Sequence, residues 1–217
     1  SGIIAEFKRK SPSKGWINAT ADPVKVTTAY ELSGASAVSI LTDEFYFGGS
    51  DNDIINCRPH LSSPILRKEF IIDEFQIIEA KAYGASVILL IASCLTPATT
   101  QLLAAKAKVL GLEVLLELHD ETELEHICDE VDLVGINNRS LKSFEVNIEH
   151  SLALKHQLPK GILSIAESGI YSVETFKLLK KEGFDGFLMG EYFMKQVNPA
   201  AAFEAFVRSI KTDNHAI

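Results

Sequence analysis

GASVILLIASCLTPATTQLLAAKAKVLGLEVLLELH, running from Gly84 to His119, reads as strand, helix, strand. Val87–Ser93 is a short apolar run, Thr99–Leu110 carries apolar residues at helical spacing up to Gly111, and Glu113–His119 is a second apolar run. Two such strands joined by a crossover helix lie parallel in one sheet. Outward from this unit the pattern continues in both directions. Apolar or β-branched runs also occupy Ile3–Lys8, Ala37–Thr42, Pro64–Phe70, Leu133–Asn138, Leu163–Ser168 and Gly186–Glu191. Their starts lie roughly 20 to 35 residues apart, the room that a strand, a helix and two short loops need. Helix-period segments fall between them at Pro23–Ser33, Glu74–Tyr83, Glu121–Cys128 and Val173–Glu182, several ending at a glycine (Gly34, Gly84, Gly183). The repeated turn into a strand (GASAV at 34–38, GASVI at 84–88, GFDGF at 183–187) marks one unit used again and again. A doubly wound open sheet gives the same alternation. Eight units that fill the chain without a leftover segment favour closure, so the expected fold is one (β/α)8 barrel domain over residues 1–217.

The bulk composition fits. With 217 residues, 47% of them hydrophobic, the chain can bury one large core, as α/β barrels of roughly 200 to 250 residues do. A net charge of -8, from 21 basic against 29 acidic residues, argues against nucleic acid or an anionic membrane as partner. A small anionic ligand remains compatible if basic residues converge locally. Cys57, Cys94 and Cys128 form neither a metal-binding spacing nor a disulfide framework, so no metal is expected and the thiols read as reduced. No apolar run reaches the roughly 18 residues of a membrane span, and no signal-peptide pattern opens the chain. A cytoplasmic protein is expected. Ser1 and Gly2 lead almost at once into an apolar strand, so a segment upstream of Ser1 is expected as well.

Catalytic groups of such barrels project from the C-terminal ends of the strands, so polar residues there carry information. Period-2 alternation aligns Ile4, Glu6 and Lys8, then Leu66, Lys68 and Phe70, then Leu115, Glu117 and His119. The same rule aligns Gly135, Asn137 and Arg139, and Leu163, Ile165 and Glu167. Five strands thus aim ionisable or amide side chains at one mouth. Unpaired charges in a core cost several kcal/mol each, which favours a solvated, functional mouth. Plainer readings exist for each residue. Lys8 fits an ordinary solvated strand end, Glu117 a structural ion pair with a barrel lysine, and Glu167 a brace for the following turn. Arg139 fits a clamp on Glu117 or Glu167, and His119 a hydrogen-bonded neighbour of Glu117.

A second set of residues suggests phosphate. Ser168-Gly169 and Gly190-Glu191 follow the last two strands, where barrels build phosphate sites from backbone N–H groups beside a helix start. Ser11-Pro12-Ser13-Lys14-Gly15, after the first strand, adds hydroxyls and a cation.

IIAEFKRKSPSKG, LTDEFYFGGS, ILRKEFIID, LLELHD, GINNRSL, AESGI and FLMGE follow in order from Ile3 to about Met194. Together they resemble the successive strand-end motifs of the indole-3-glycerol phosphate synthases. The resemblance implies a carboxy-lyase of tryptophan biosynthesis that converts 1-(2-carboxyphenylamino)-1-deoxyribulose 5-phosphate to indole-3-glycerol phosphate, CO2 and water without metal or organic cofactor. It implies Lys68 as the acid at the ribulose carbonyl, Glu117 as base with Lys8 as acid in the later elimination, and Glu6 as the group that tunes the lysines. Ser11, Pro12 and Ser13 correspond to a loop over the substrate ends, and Phe47, Phe70 and Leu89 to the wall around its aromatic ring. Asn137 and Arg139 correspond to positions that hold carboxylate and hydroxyls, with Leu141 packed nearby and Glu167 close to the ribulose hydroxyls. Ser168, Gly169, Gly190 and Glu191 correspond to the phosphate cradle, Glu191 through its backbone N–H. The expected partner is a phosphorylated small molecule, and the expected assembly a monomer that can associate with other enzymes of the tryptophan pathway.

Two departures stand out. Glu69 replaces the aspartate that follows the strand-3 lysine in the family, and its extra methylene is expected to shift a salt bridge by about 1 Å. The helical extension that family members carry before the first strand is absent from this sequence, so either the chain is a fragment or the mouth is more open. A barrel that only binds a phosphorylated ligand is the rival reading. A phosphosugar isomerase would instead want a paired Cys and Asp at strand ends, a pattern this sequence lacks.

Overall fold

The computed structural model describes residues 1–139 and 145–212. Eight parallel strands close a barrel: β1 (Ile3–Phe7), β4 (Ala37–Leu41), β5 (Ile65–Lys68), β6 (Val87–Ile91), β7 (Glu113–Leu118), β8 (Leu133–Asn137), β9 (Leu163–Glu167) and β10 (Gly186–Met189). Consecutive strands pair, and β10 returns to β1 through Ile3↔Phe187, Ile4↔Leu188 and Ala5↔Met189. Closure removes both sheet edges, so no backbone row is left unpaired. The expected runs and the strands coincide, each strand stopping one or two residues earlier where the chain leaves the sheet toward the mouth.

The helices are α1 (Pro23–Leu32), α2 (Glu44–Phe47), α3 (Asp51–Cys57), α4 (Glu74–Tyr83), α5 (Pro97–Val109), α6 (Ile148–Lys155), α7 (Val173–Lys181), α8 (Glu191–Met194) and α9 (Pro199–Thr212). Local sequence starts them. Asp22 and Thr96 accept N–H bonds ahead of Pro23 and Pro97, and Asp73 with Gln76 forms a capping box. Gly84 and Gly111, both within the stretch quoted above, hold φ of +96° and +67° and turn α4 and α5 back toward the next strands. None of the described helices is long and apolar enough to cross a membrane. The helix expected over Glu121–Cys128 is a 3-10 turn, Glu121–His126. Tight i→i+3 turns of this kind commonly serve as short connectors. Its register is fixed instead by buried His126, whose Nδ1 lies 2.8 Å from the Thr100 hydroxyl.

Alternation along each strand divides the apolar residues between two cores. Ile3, Ala5, Phe7, Phe187 and Met189 face the helices, while Leu66, Val87, Leu89, Ile91, Leu115, Ile165 and Leu188 fill the barrel interior. A side chain that reverses this parity changes compartment, so register is strongly specified. The SPSKG loop is a small hairpin of β2 (Lys10–Ser11) and β3 (Gly15–Trp16). Arg9, next to the hairpin, ties it to Asp53 of α3, at 2.5 and 3.1 Å, and to the Gly48 carbonyl after α2.

Candidate active site

Above the apolar filling, the strand ends surround a cavity of about 180 Å³. Its wall contains Glu6, Lys8, Ser11, Pro12, Ser13, Phe47, Lys68, Phe70, Leu89, Glu117, Asn137, Arg139, Ser168, Gly169, Gly190 and Glu191. These are the residues expected from the sequence, with two differences. Leu141 lies outside the described residues. Glu167 sits behind the wall, 1% exposed, and meets the cavity only through Lys68.

Lys68 is the centre of the arrangement. Its Nζ lies 2.6 Å from Glu167 Oε2, 3.4 Å from Glu117 Oε2 and 3.9 Å from Glu6 Oε2. Glu6 turns its other oxygen to Lys8 at 2.7 Å. Burial works against the charge on Lys68, but Glu167, Glu117 and Glu6 outweigh it and hold its pKa above the ordinary range. Burial likewise opposes the Glu6 and Glu117 charges. Lys8 and Lys68 prevail at Glu6, and Lys68, His119 and Asn137 prevail at Glu117, so both stay below the usual carboxyl value. Glu167 goes the other way. Burial, reinforced by repulsion from Glu117 and Glu6, exceeds the pull of Lys68 and pushes it up to about 7.

Two glycines make room for these carboxylates. A Cβ on Gly135 would stand 2.0 Å from Glu167 Oε1, and one on Gly190 would stand 2.6 Å from Glu6 Oε1. Larger residues at either position would displace a carboxylate and, through it, Lys68. Asn137 donates to Glu117 Oε1 at 2.9 Å and accepts the Arg139 N–H at 3.0 Å, so one amide aligns two neighbours.

At the β9 and β10 ends the backbone is bent for close approach. Ser168 holds φ of +64°, the one positive φ outside glycine among the described residues, and such strain concentrates at functional sites. Asn138 secures the turn by donating to the Ser168 carbonyl at 2.7 Å. A Cβ on Gly169 would meet Val146 at 2.4 Å. Opposite, Phe70 lies against Phe47 and Tyr46, with centroids 6.2 and 5.9 Å apart.

A match to the indole-3-glycerol phosphate synthase model spans residues 1–206. Indole-3-glycerol phosphate synthase of Bacteroides thetaiotaomicron is 50% identical over 211 residues, covering 97% of this chain and 81% of the relative. The chain belongs to the indole-3-glycerol phosphate synthase family. The synthase of Campylobacter fetus is 48% identical over 195 residues, covering 89% of this chain and 76% of its own length. Among solved structures, 3-hexulose-6-phosphate synthase of Salmonella typhimurium superposes with a TM-score of 0.74 at 13% identity, covering 97% of this chain and 98% of that one. That likeness concerns the fold alone.

Within this synthase barrel, three sequence expectations need correction or addition. Arg139 pairs with neither Glu117 nor Glu167. It reaches across the mouth to Glu191 at 3.3 Å and to the Tyr171 hydroxyl at 2.7 Å, because it stands two residues beyond the end of β8. The Glu191 carboxylate is therefore neutralised by Arg139 rather than aimed at an anion. Glu69 forms no ion pair among the described residues; its oxygens accept from the Thr42 hydroxyl at 2.5 Å and the Phe70 N–H at 2.9 Å. Tyr171 went unnoticed in the sequence, although an aromatic directly after the Ser-Gly-Ile turn of a barrel strand end was the available signal.

Proposed function

We propose that this synthase barrel, as one domain, closes the indole ring of 1-(2-carboxyphenylamino)-1-deoxyribulose 5-phosphate, releasing CO2 and water and leaving indole-3-glycerol phosphate. The observation that carries the reading is Lys68, an ammonium held by Glu167, Glu117 and Glu6 at the floor of an anion-accepting mouth. Carbon–carbon bond formation turns the ribulose carbonyl oxygen into an alkoxide. That oxygen is a far stronger base than the carboxylates, so Lys68 yields its proton only as the bond forms. Loss of CO2 returns the electrons of the ring. Glu117, kept ionised by its neighbours, then removes a proton while Lys8, steered by Glu6, protonates the departing hydroxyl. Phe47, Phe70 and Leu89 supply the apolar wall for the aromatic ring.

Asn137 and Arg139 are assigned to the carboxylate and hydroxyls, and the Ser11–Ser13 loop to the aromatic and phosphate ends of the substrate. Backbone N–H groups at Ser168, Gly169, Gly190 and Glu191 are assigned to the phosphate, which suits groups that carry no counter-charge of their own. Glu167 acts from behind Lys68 as its holder. The test is to incubate the protein with the carboxyphenylamino-deoxyribulose phosphate and follow indole fluorescence. Turnover that vanishes in Lys68→Ala is the expected result; a wild-type rate no higher than that variant's overturns the reading.

A further inference from the structure

His119 has no task in that chemistry, yet its ring lies between two carboxylates. Nε2 stands 3.1 Å from Glu117 Oε1 and Nδ1 stands 3.6 Å from Glu123 Oε2. Both contacts lie off the ideal hydrogen-bond line, so the ring holds its neighbours through bent N–H contacts reinforced by charge. All three side chains are nearly sealed, at 10%, 5% and 12% exposure for His119, Glu117 and Glu123. Glu123 is fixed in place by the backbone N–H of His119, which donates to its Oε2 at 2.6 Å. From α6, His150 Nε2 lies 3.0 Å from the His119 carbonyl oxygen. Asp120 and Cys94 are the other titratable groups facing this cluster, Asp120 toward His119 and His150, Cys94 toward the two glutamates. Burial works against a charged imidazole here, but Glu117 and Glu123 outweigh it and hold its pKa up to about 10.

We propose that His119 is a positioning residue for Glu117: an imidazolium wedged between Glu117 and Glu123 that keeps Glu117 anionic while Lys68 surrenders its proton. The inference rests on the roles proposed above for Lys68 and Glu117. The need arises from a charge count. Glu6, Glu117 and Glu167 share Lys68, and Lys8 is engaged with Glu6. Once Lys68 has donated its proton, Glu117 loses a cation 3.4 Å away, and a buried carboxylate without a counter-charge takes up a proton. His119 is a cation on the opposite side that the first step leaves untouched. A proton shuttle from Glu117 to Glu123 through the ring would demand a neutral imidazole, which two flanking carboxylates disfavour.

The deciding experiment titrates the six histidines of the full chain by NMR, with His119→Gln supplying the assignment. His119 is expected to remain an imidazolium through pH 8.5, and Glu117→Gln to lower its midpoint by roughly one unit or more. A wild-type midpoint near the ordinary value of about 6.5 overturns the proposal. In kinetics, His119→Gln is expected to move the acid limb of kcat upward by roughly one unit, with the rate recovering as pH rises and KM little changed. A loss of equal size at every pH marks a structural defect and overturns it too. Wild-type protein without turnover sinks the ring-closure reading instead, and the NMR midpoint still decides whether Glu117 and Glu123 hold His119 charged.

Discussion

The barrel interior has two storeys built from the same strands. In the lower one, Leu66, Val87, Leu115, Ile165 and Leu188 form an apolar plug. One step of alternation higher, Lys68, Glu117 and Glu167 crowd together with Glu6. On β7 only Leu116 separates Leu115 from Glu117, and on β9 only Ala166 separates Ile165 from Glu167. Both storeys are buried, so burial by itself does not distinguish core from site. Partners do: the plug residues pack on one another through apolar contact, whereas each charge above them has an opposite charge within 4 Å.

Lys68→Ala breaks the contrast hardest. The upper storey then holds three carboxylates around a void, and kcat/KM should fall by roughly 10³-fold or more in a fluorescence assay. Its counterpart, Leu115→Ala, should cost about 2–5 kcal/mol in denaturant melts while changing the rate per folded molecule little. Gly135→Ala tests the seam between the two. The added methyl must push Glu167 aside, and a displacement near 1 Å at Lys68 should cost about 10²-fold in kcat, partly restored by the shorter Glu167→Asp in the double variant.

Thermal melts against pH sharpen the comparison from the side of charge. The folded-state pKa of His119, about 10, lies above its ordinary value, so its contribution is complete below about pH 6.5 and fades as pH rises toward 10. Tm should decline over that window, and less steeply in His119→Gln. Glu167 acts in the same sense at lower pH. Its value near 7 exceeds the ordinary carboxyl value, so stability it contributes in acid is lost between about pH 4.5 and 7, opposite to the depressed Glu117. The smallest effect belongs to a pair outside the barrel. Arg208 and Glu204 on α9 touch at 2.6 Å but are 78% and 52% exposed, and Glu204→Gln should leave Tm within about 1 °C.

Much of this is legible in the amino-acid sequence alone. The strand runs, their parity and the polar residues closing them are local properties, and parity alone placed Glu6, Lys68 and Glu117 on the inner face. The start of α1 at Pro23 was legible for the same reason, whereas α5 begins two residues before the expected Thr99, at Pro97 behind the Thr96 cap. The 3-10 turn at Glu121 was not, because its conformation depends on Thr100 and His126 meeting across two elements. The partners of Arg139, Glu191 and Tyr171, were not legible for a related reason: alternation tells which way a side chain leaves a strand, but not how far beyond the strand end it swings.

The sequence by itself determined an eightfold strand–helix alternation, the inward face of each strand and a mouth rich in Lys and Glu, because these follow from periods of two and 3.6 residues. Tertiary structure alone decided which charge meets which. Lys68 and Glu167 are 99 residues apart and touch at 2.6 Å because barrel closure sets their strands across one interior, with Gly135 leaving the space. Charge pairing depends on the distance between the charges, and that distance is a property of the closed sheet rather than of any segment of it.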